Sequence, residues 1–488
     1  MRNGPSKVRC LNQAGSKLLK AVPSCAVMGP CECVQGKEFF AVLLCLALLQ
    51  PLQLFGQDRA VDYYRRAESA YDRADWDSAL ADYSRTIELA PNYPEAYYGR
   101  GITEYAKRDL DAALKDFDRA IELLPKYASA YSGRGNVKSD KGDLDGALSD
   151  FDRAIRLDPK HAHAYRNRGL LKEKKHDLKG AMADFDEAIK IAPKFLWAYQ
   201  NRALLKYRMS DYQGALADFT QEIHLSPTNA YAFKLRARLK NYIGDVSGAM
   251  ADYTRVIEIL PNSIEGYVDR GRLKLQQGDL AAAFDDFNKA VGLDPKADDP
   301  YFYRGLVKFD RGDFAGAIAN FSSAIDLTPT WKVAHFYRGL AREQMHDLGG
   351  ALKDYRTAMD IAPTPASYSH ILTWLVQMRM GKKETANQEL AICLDKLKNR
   401  PLEDQEPIPV FKFLLDQVSE SQFVEKFSAD SATGPERCAG WYYIGMKRLF
   451  AGDNKGATEA FRKCLSTDQI SSIQYHAAKA ELKALQTH

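Results

Sequence analysis

From Ala60 onward, small and large apolar residues return to the same places every 34 residues. Between Pro94 and Pro125 they are Tyr97, Gly101, Ala113, Phe117 and Ala120. The set comes back as Gly135, Ala147, Phe151 and Ala154, and as Gly169, Ala181, Phe185 and Ala188. It comes back again as Gly271, Ala283, Phe287 and Ala290, then as Gly305, Ala317, Phe321 and Ala324. Steps of three and four residues are those of a helix with one buried face. The pattern predicts a helix A over Glu95–Lys107 and a helix B running from Asp109 to Leu123. Gly101 and Ala113 allow two backbones to approach, and Phe117 fills the space between one hairpin and the next. Asp109 is placed to cap helix B. Pro125 stops it, because its ring fixes the backbone and removes a donor.

The polar positions keep the same beat. Nine prolines stand 34 residues apart from Pro91 to Pro363, and nine arginines do so from Arg66 to Arg338. Sixteen residues after each arginine comes an acid, at Asp82, Asp116, Asp150, Asp184, Asp218, Asp252, Asp286 and Asp354, with Asn320 the single substitution. A period of this length belongs to stacked helical hairpins, which grow in one direction and need no large central core. Repeats begin at Ala60, Pro94, Ala128, Ala162, Leu196, Ala230, Ile264, Asp298 and Lys332. Residues 58–365 therefore read as one nine-repeat solenoid.

The pattern resembles the tetratricopeptide repeat family, whose motif carries aromatic, Gly, Ala, aromatic, Ala and Pro at these places. The resemblance implies an all-α, right-handed superhelical solenoid. The arginine ladder departs from the family, which has an apolar residue there. An Arg in helix A and an Asp in helix B can meet through a two-pronged contact that fixes the interhelical angle. The alternative is a row of arginines lining the groove to grip acidic ligands. Recurrence of the acid with nearly every Arg favours the structural pairing, and where Asn320 replaces it Arg304 needs another partner.

Beyond Pro363 the period decays. Residues 366–400 read as a degenerate tenth repeat, with helices over Ser367–Gly381 and Glu384–Leu397. Residues 401–437 read as a linker followed by two short helices within Val410–Phe427, broken at Glu420-Ser421. Residues 438–488 hold a restored unit with Trp441, Gly445, Ala457, Phe461 and Cys464, then a capping helix over Ser472–Leu485. The run Cys438-Ala439-Gly440-Trp441-Tyr442-Tyr443-Ile444-Gly445 and the run Tyr475–Leu482 are similar to the end of NlpI-type bacterial repeat lipoproteins. That resemblance implies an envelope adaptor, often a homodimer. The family's lipid-bearing cysteine is not recognisable.

Residues 1–57 read as targeting sequence. Phe39–Phe55 is an apolar run behind a basic stretch, with Gly56 as a small residue for cleavage. A cleaved signal and an uncleaved membrane tether through residues 39–55 are the alternatives, since the run is near the shortest length that spans a bilayer. Met28 offers an alternative start. Either way the protein is expected to be exported, periplasmic or envelope-associated if bacterial. The formal charge of +4 lies in this segment; from Asp58 onward 62 basic residues face 62 acidic ones. A body so balanced is no general nucleic-acid binder. Of eight cysteines, Cys393, Cys438 and Cys464 follow the leader, too few for a disulfide framework, although Cys438 and Cys464 can face each other.

No catalytic, cofactor or metal site emerges. His161 and His163 lie at one end of a helix and His176 at the other, too far apart for one metal shell. Single glycines such as Gly278 and Gly312 sit at hairpin turns and make no phosphate loop. Glu403, Asp404 and Glu406 are loop charges. No enzyme is expected, and no cofactor. Binding has positive content. In the family this chain resembles, the fifth, ninth, twelfth and thirteenth repeat positions face the hollow. Here they make the eighth repeat apolar (Phe302, Leu306, Phe309, with Asp310). Repeats four to six become basic and aromatic through Arg166, Tyr207, Arg208, Lys234, Arg238 and Tyr242. Arg and Tyr form strong contact points at interfaces, and such a face suits an acidic or C-terminal segment. The two-carboxylate clamp of chaperone-binding relatives cannot be assembled here. The primary reading is a non-catalytic scaffold or adaptor holding a peptide or protein in its groove. The alternative is a structural envelope protein that self-associates through its C-terminal module.

Overall fold

A computed structural model describes residues 59–361, 368–397, 407–428, 433–467 and 473–486. The expected leader, including Phe39–Phe55, and the expected linker at residues 401–406 lie outside the described residues. Within them the chain is all α-helix, arranged as successive hairpins, with no strand. No described helix is long and apolar enough to cross a membrane.

The chain divides into two compact units, up to Leu239 and from Lys240 onward. The boundary falls inside helix Ala230–Tyr242, where the 34-residue period has no mark. The first unit holds five hairpins, beginning with helix 59–72 and Trp76–Leu89. The second hairpin is Pro94–Ala106 with Leu110–Leu123, one residue from the predicted limits. The second unit carries the remaining regular hairpins and then Tyr368–Arg379 with Lys383–Leu397. Two short helices follow, Ile408–Leu414 and Glu420–Ser428. The break between them falls at 415–419, earlier than expected, because Ser419 turns the chain with its hydroxyl and backbone N–H both donated to Gln422. Helices Gly434–Phe450, Asn454–Leu465 and Ile473–Gln486 close the chain, the last packing Ala478 and Leu482 into the terminal core.

Each hairpin is built the same way. Phe117 is buried, its ring under Gly101 of its own hairpin and against Gly133 of the next. A Cβ added at Gly133 would lie 2.7 Å from that ring. Burying such a side chain is worth about 1.5–3 kcal/mol, so the repeated phenylalanine is the main cohesive element between neighbours. At the turn, Gly142 adopts a φ of 88°, and Arg108 and His176 take the same left-handed conformation at 68° and 63°. The next residue, an aspartate, caps helix B: Asp109 accepts from the Ala112 N–H at 3.1 Å and Asp143 from Gly146 at 2.9 Å. Each such cap is worth about 1 kcal/mol.

The proline corners are tied from above. The hydroxyl of Tyr97 donates to the Pro91 carbonyl at 3.2 Å, and Tyr199 and Tyr267 repeat the bond to Pro193 and Pro261 at 3.3 Å. In the ninth repeat His335 takes the tyrosine's place against the Pro329 carbonyl at 3.0 Å.

Candidate protein-binding face

The arginine ladder is structural. Arg134 donates through Nε and Nη2 to both oxygens of Asp150 at 2.9 and 2.7 Å, and through Nη1 to Asp118 of the preceding hairpin at 2.7 Å. Arg168 and Arg202 repeat this with Asp184 and Asp152, and with Asp218 and Asp186. In the second unit Arg270 and Arg338 hold Asp286 and Asp354 the same way. One guanidinium thus locks its own hairpin and the one before it. The ring of the aromatic residue three positions earlier lies 5.3 Å from the Arg134 guanidinium, a cation–π contact. Where Asn320 replaces the acid, Arg304 donates to the Asn320 amide oxygen at 2.7 Å and to that of Asn288 at 2.9 Å.

A third member of the ladder went unread. Lys138, Lys172 and Lys206 each reach the same aspartate as the arginine, at 2.8, 2.8 and 2.9 Å. In the second unit Lys274 does so with Asp286 at 2.8 Å, and Lys240 reaches Asp252 at 2.9 Å. Their 34-residue spacing was visible in the sequence as plainly as that of the arginines.

The basic-aromatic positions of repeats four to six fall on successive A helices. Arg166 and Arg208 are tied to neighbouring hairpins. Arg166 donates from Nε to Asn201 at 2.7 Å and lies over the Trp197 ring at 5.8 Å. Burial holds its pKa below the ordinary arginine value. Arg208 pairs with Glu173 at 2.6 Å. This link, from the twelfth position of one repeat to the thirteenth of the next, recurs as Tyr105 to Asp140 at 2.7 Å. Tyr207 is exposed and 5.8 Å from the Tyr212 ring. Lys234 and Arg238 lie one turn apart on helix Ala230–Tyr242, half-buried and exposed respectively. Tyr242, at the end of that helix and in the second unit, is 61% exposed.

Sequence reasoning missed two residues here. Trp197 and Tyr231 occupy the second position of adjacent repeats and are 42% and 47% exposed. With Tyr207 and Met209 they gather large exposed apolar side chains on two neighbouring hairpin A helices and their turns. The eighth repeat also needs a correction: Phe302, expected to face the hollow, is buried against Phe321 and Trp331 at ring separations of 5.7 and 4.8 Å. The same repeat position is buried at Ser132, Gln200 and Val268.

His161 caps helix Ala162–Lys174 through Nδ1, and His176 forms the turn at its far end. Among the described residues no three His, Cys, Asp or Glu side chains gather as a metal-binding group. Cys438 and Cys464 face each other as buried thiols, Sγ to Sγ 3.0 Å.

A family model described as tetratricopeptide repeat matches residues 64–128, 133–194 and 268–330. No curated protein matches the chain. Among solved structures, a tetratricopeptide repeat protein from Parabacteroides merdae is 22% identical over 51% of this chain and 99% of its own, with a TM-score of 0.38. PilF of Pseudomonas aeruginosa is 16% identical over 45% of this chain and 99% of its own, with a TM-score of 0.38. YrrB, described as a tetratricopeptide repeat protein with an unusual peptide-binding site, is 21% identical over 38% of this chain and 95% of its own, with a TM-score of 0.32. Solenoids of such hairpins are typically non-catalytic scaffolds that hold a peptide or protein in a concave groove. By its repeats, their hairpin fold and the matching family model, the chain carries tetratricopeptide repeats.

Proposed function

We propose that the chain is a non-catalytic adaptor whose face over repeats four to six holds an acidic segment of a partner protein. The observation that carries this reading is the exposure of Trp197, Tyr207 and Tyr231 beside Arg166 and Arg208. Elsewhere in the first unit large aromatic residues are mostly spent on the core or on the proline corners. Exposed aromatic side chains interleaved with guanidinium groups supply both apolar area and charge for an acidic peptide. Arg208 keeps its pairing with Glu173 at the edge of the face, so a ligand carboxylate would compete with Glu173 for it.

The test compares partner recovery by wild type with that by two variants, Arg208→Glu/Arg238→Glu and Trp197→Ala/Tyr231→Ala. Both variants should keep wild-type helicity by circular dichroism and lose the same partners. Equal recovery of every partner by all three chains would overturn the reading.

Export is part of the same proposal. It rests on Phe39–Phe55 behind basic residues, and on the similarity of the C-terminal runs to NlpI-type envelope adaptors. Sequencing the mature N-terminus should show the leader removed near Gly56, or an uncleaved chain in the membrane fraction. An intact N-terminus in the soluble cytoplasmic fraction would overturn it.

A further inference from the structure

The second unit contains a cavity of about 950 Å³, at the upper end of the range for ligand pockets. Its wall is a column of side chains from the A helices of repeats seven to nine: Leu275, Tyr303, Leu306, Phe309, Tyr337 and Leu340. Five of these six are only half-buried, so the column presents apolar area that the fold does not itself consume. The far side is formed by the closing helix Ile473–Gln486, through Ala477, Lys479, Glu481 and Lys483.

The base is electrostatically closed. Arg379, from the degenerate tenth hairpin, donates to Glu343 of the ninth repeat and to Glu481 of the closing helix. Glu343 also accepts from the Tyr355 hydroxyl at 2.8 Å. These groups satisfy one another and make no demand on a ligand. The rim differs. Arg272, half-exposed, lies 5.1 Å over the Tyr303 ring with Asp269 only at 3.9 Å, and Lys479 and Lys483 are exposed on the opposite side. The rim cations face one lining acid outside the base, Asp310, and Arg272 also lies within electrostatic reach of Asp269 and Asp299. An apolar wall with exposed Lys479 and Lys483 on one side and Arg272 on the other suits side chains that are apolar with carboxylates beside them.

We propose that this cavity is a binding site in its own right, which takes an acidic segment of a partner protein that carries apolar side chains. Apolar residues of the segment pack on Leu306 and its neighbours, and its carboxylates lie against Arg272 and Lys479. The site uses none of the residues of the face over repeats four to six, so the two readings stand or fall separately.

The probe is a short fluorescein-labelled peptide of leucine and glutamate, followed by fluorescence anisotropy on the full chain. Its counterpart has lysine in place of glutamate. The acidic peptide should bind, and Arg272→Glu/Lys479→Glu should weaken it by about tenfold or more. Leu306→Gln should weaken it without changing the charge. Arg208→Glu, placed on the other face, should leave the component lost in Arg272→Glu/Lys479→Glu intact. Circular dichroism should be unchanged for the charge reversals, since both side chains are exposed. Failure of the acidic peptide to bind, tighter binding of the lysine peptide, or indifference to Arg272→Glu/Lys479→Glu would each overturn the proposal.

Discussion

Glu104 stands against Asp116 in the second hairpin, at the place where the third, fourth and fifth repeats set a lysine against the matching aspartate. Arg100, bound to Asp116 through Nε at 2.6 Å, reaches Glu104 only at 3.9 Å. Burial, and then the Asp116 charge, push the Glu104 carboxyl up to about 7. A carboxyl whose pKa is raised by folding holds its proton more tightly in the native state. Stability is therefore greatest below about pH 4.5 and falls as the pH rises towards 7. Glu104→Lys should rebuild the arginine–aspartate–lysine set, stabilise the hairpin by about 1–2 kcal/mol near neutral pH and above, and remove this pH dependence. Hydrogen exchange in helix Pro94–Ala106 reports it locally, because repeats communicate mainly with their neighbours. Unchanged or faster exchange in the variant at about pH 8 would refute the account.

Glu222 offers a second case with a different cause. It occupies a position where other repeats place Ala120, Ala154 or Ala188, and is 2% exposed. Asn229 donates to its Oε1 at 2.9 Å and Gln200 at 3.4 Å, while Oε2 is buried with no partner. Burial raises this carboxyl to about 7, partly offset by the Asn229 bond. The sign is the same: the cost appears between about pH 4.5 and 7 and persists above. Glu222→Gln keeps the acceptor for Asn229 and removes the charge. It should stabilise the first unit by about 2–3 kcal/mol at alkaline pH and by little at acid pH, as urea titrations at the two pH values would show. An equal effect at both would mean that charge is not the cause.

Much of this fold was legible because a solenoid repeats its packing problem. Gly133 and Phe117 meet for the same reason as Gly135 and Phe151, so one solution recurs along the chain. The Arg–Asp pairing was readable from the joint recurrence of the two residues. Lys138, Lys172 and Lys206 recur just as regularly, but lysine on a helix reads as a solvated face until a buried carboxylate is seen within reach. Phe302 was misread because the same repeat position can face the hollow or the core: Ser132, Gln200 and Val268 are buried there too. The exposure of Trp197 and Tyr231 was hidden for the opposite reason. Large aromatic residues in such hairpins are expected in the core, and only the structure shows these two left outside it. The cavity in the second unit depends on Arg379 and Glu481, 102 residues apart and outside the period, which no repeat pattern could join.

Asp218 decides how much the ladder contributes. It is 4% exposed and accepts from Arg202 through Nε and Nη2 at 2.9 and 2.6 Å, with Lys206 at 2.9 Å. Asp218→Ala leaves two half-buried cations with Asp186 as the remaining carboxylate contact described for Arg202, and should cost about 3–5 kcal/mol. Asp218→Asn should cost less, about 1–2 kcal/mol, because the amide oxygen can still accept from the guanidinium. The eighth repeat shows the geometry: Arg304 holds the Asn320 amide, while Lys308 turns to Asp313 at 3.2 Å. An exposed pair provides the contrast. Lys107 and Asp77 meet at 2.5 Å, but Asp77 is 88% exposed, and Asp77→Ala should leave stability unchanged within error. Urea unfolding of the three variants should therefore rank Asp218→Ala well below Asp218→Asn, and Asp218→Asn below Asp77→Ala. If Asp218→Ala and Asp77→Ala proved equally mild, the arginines would be solvated side chains that the aspartates merely accompany, and the locking of hairpin to hairpin would have to come from the phenylalanine–glycine contacts alone.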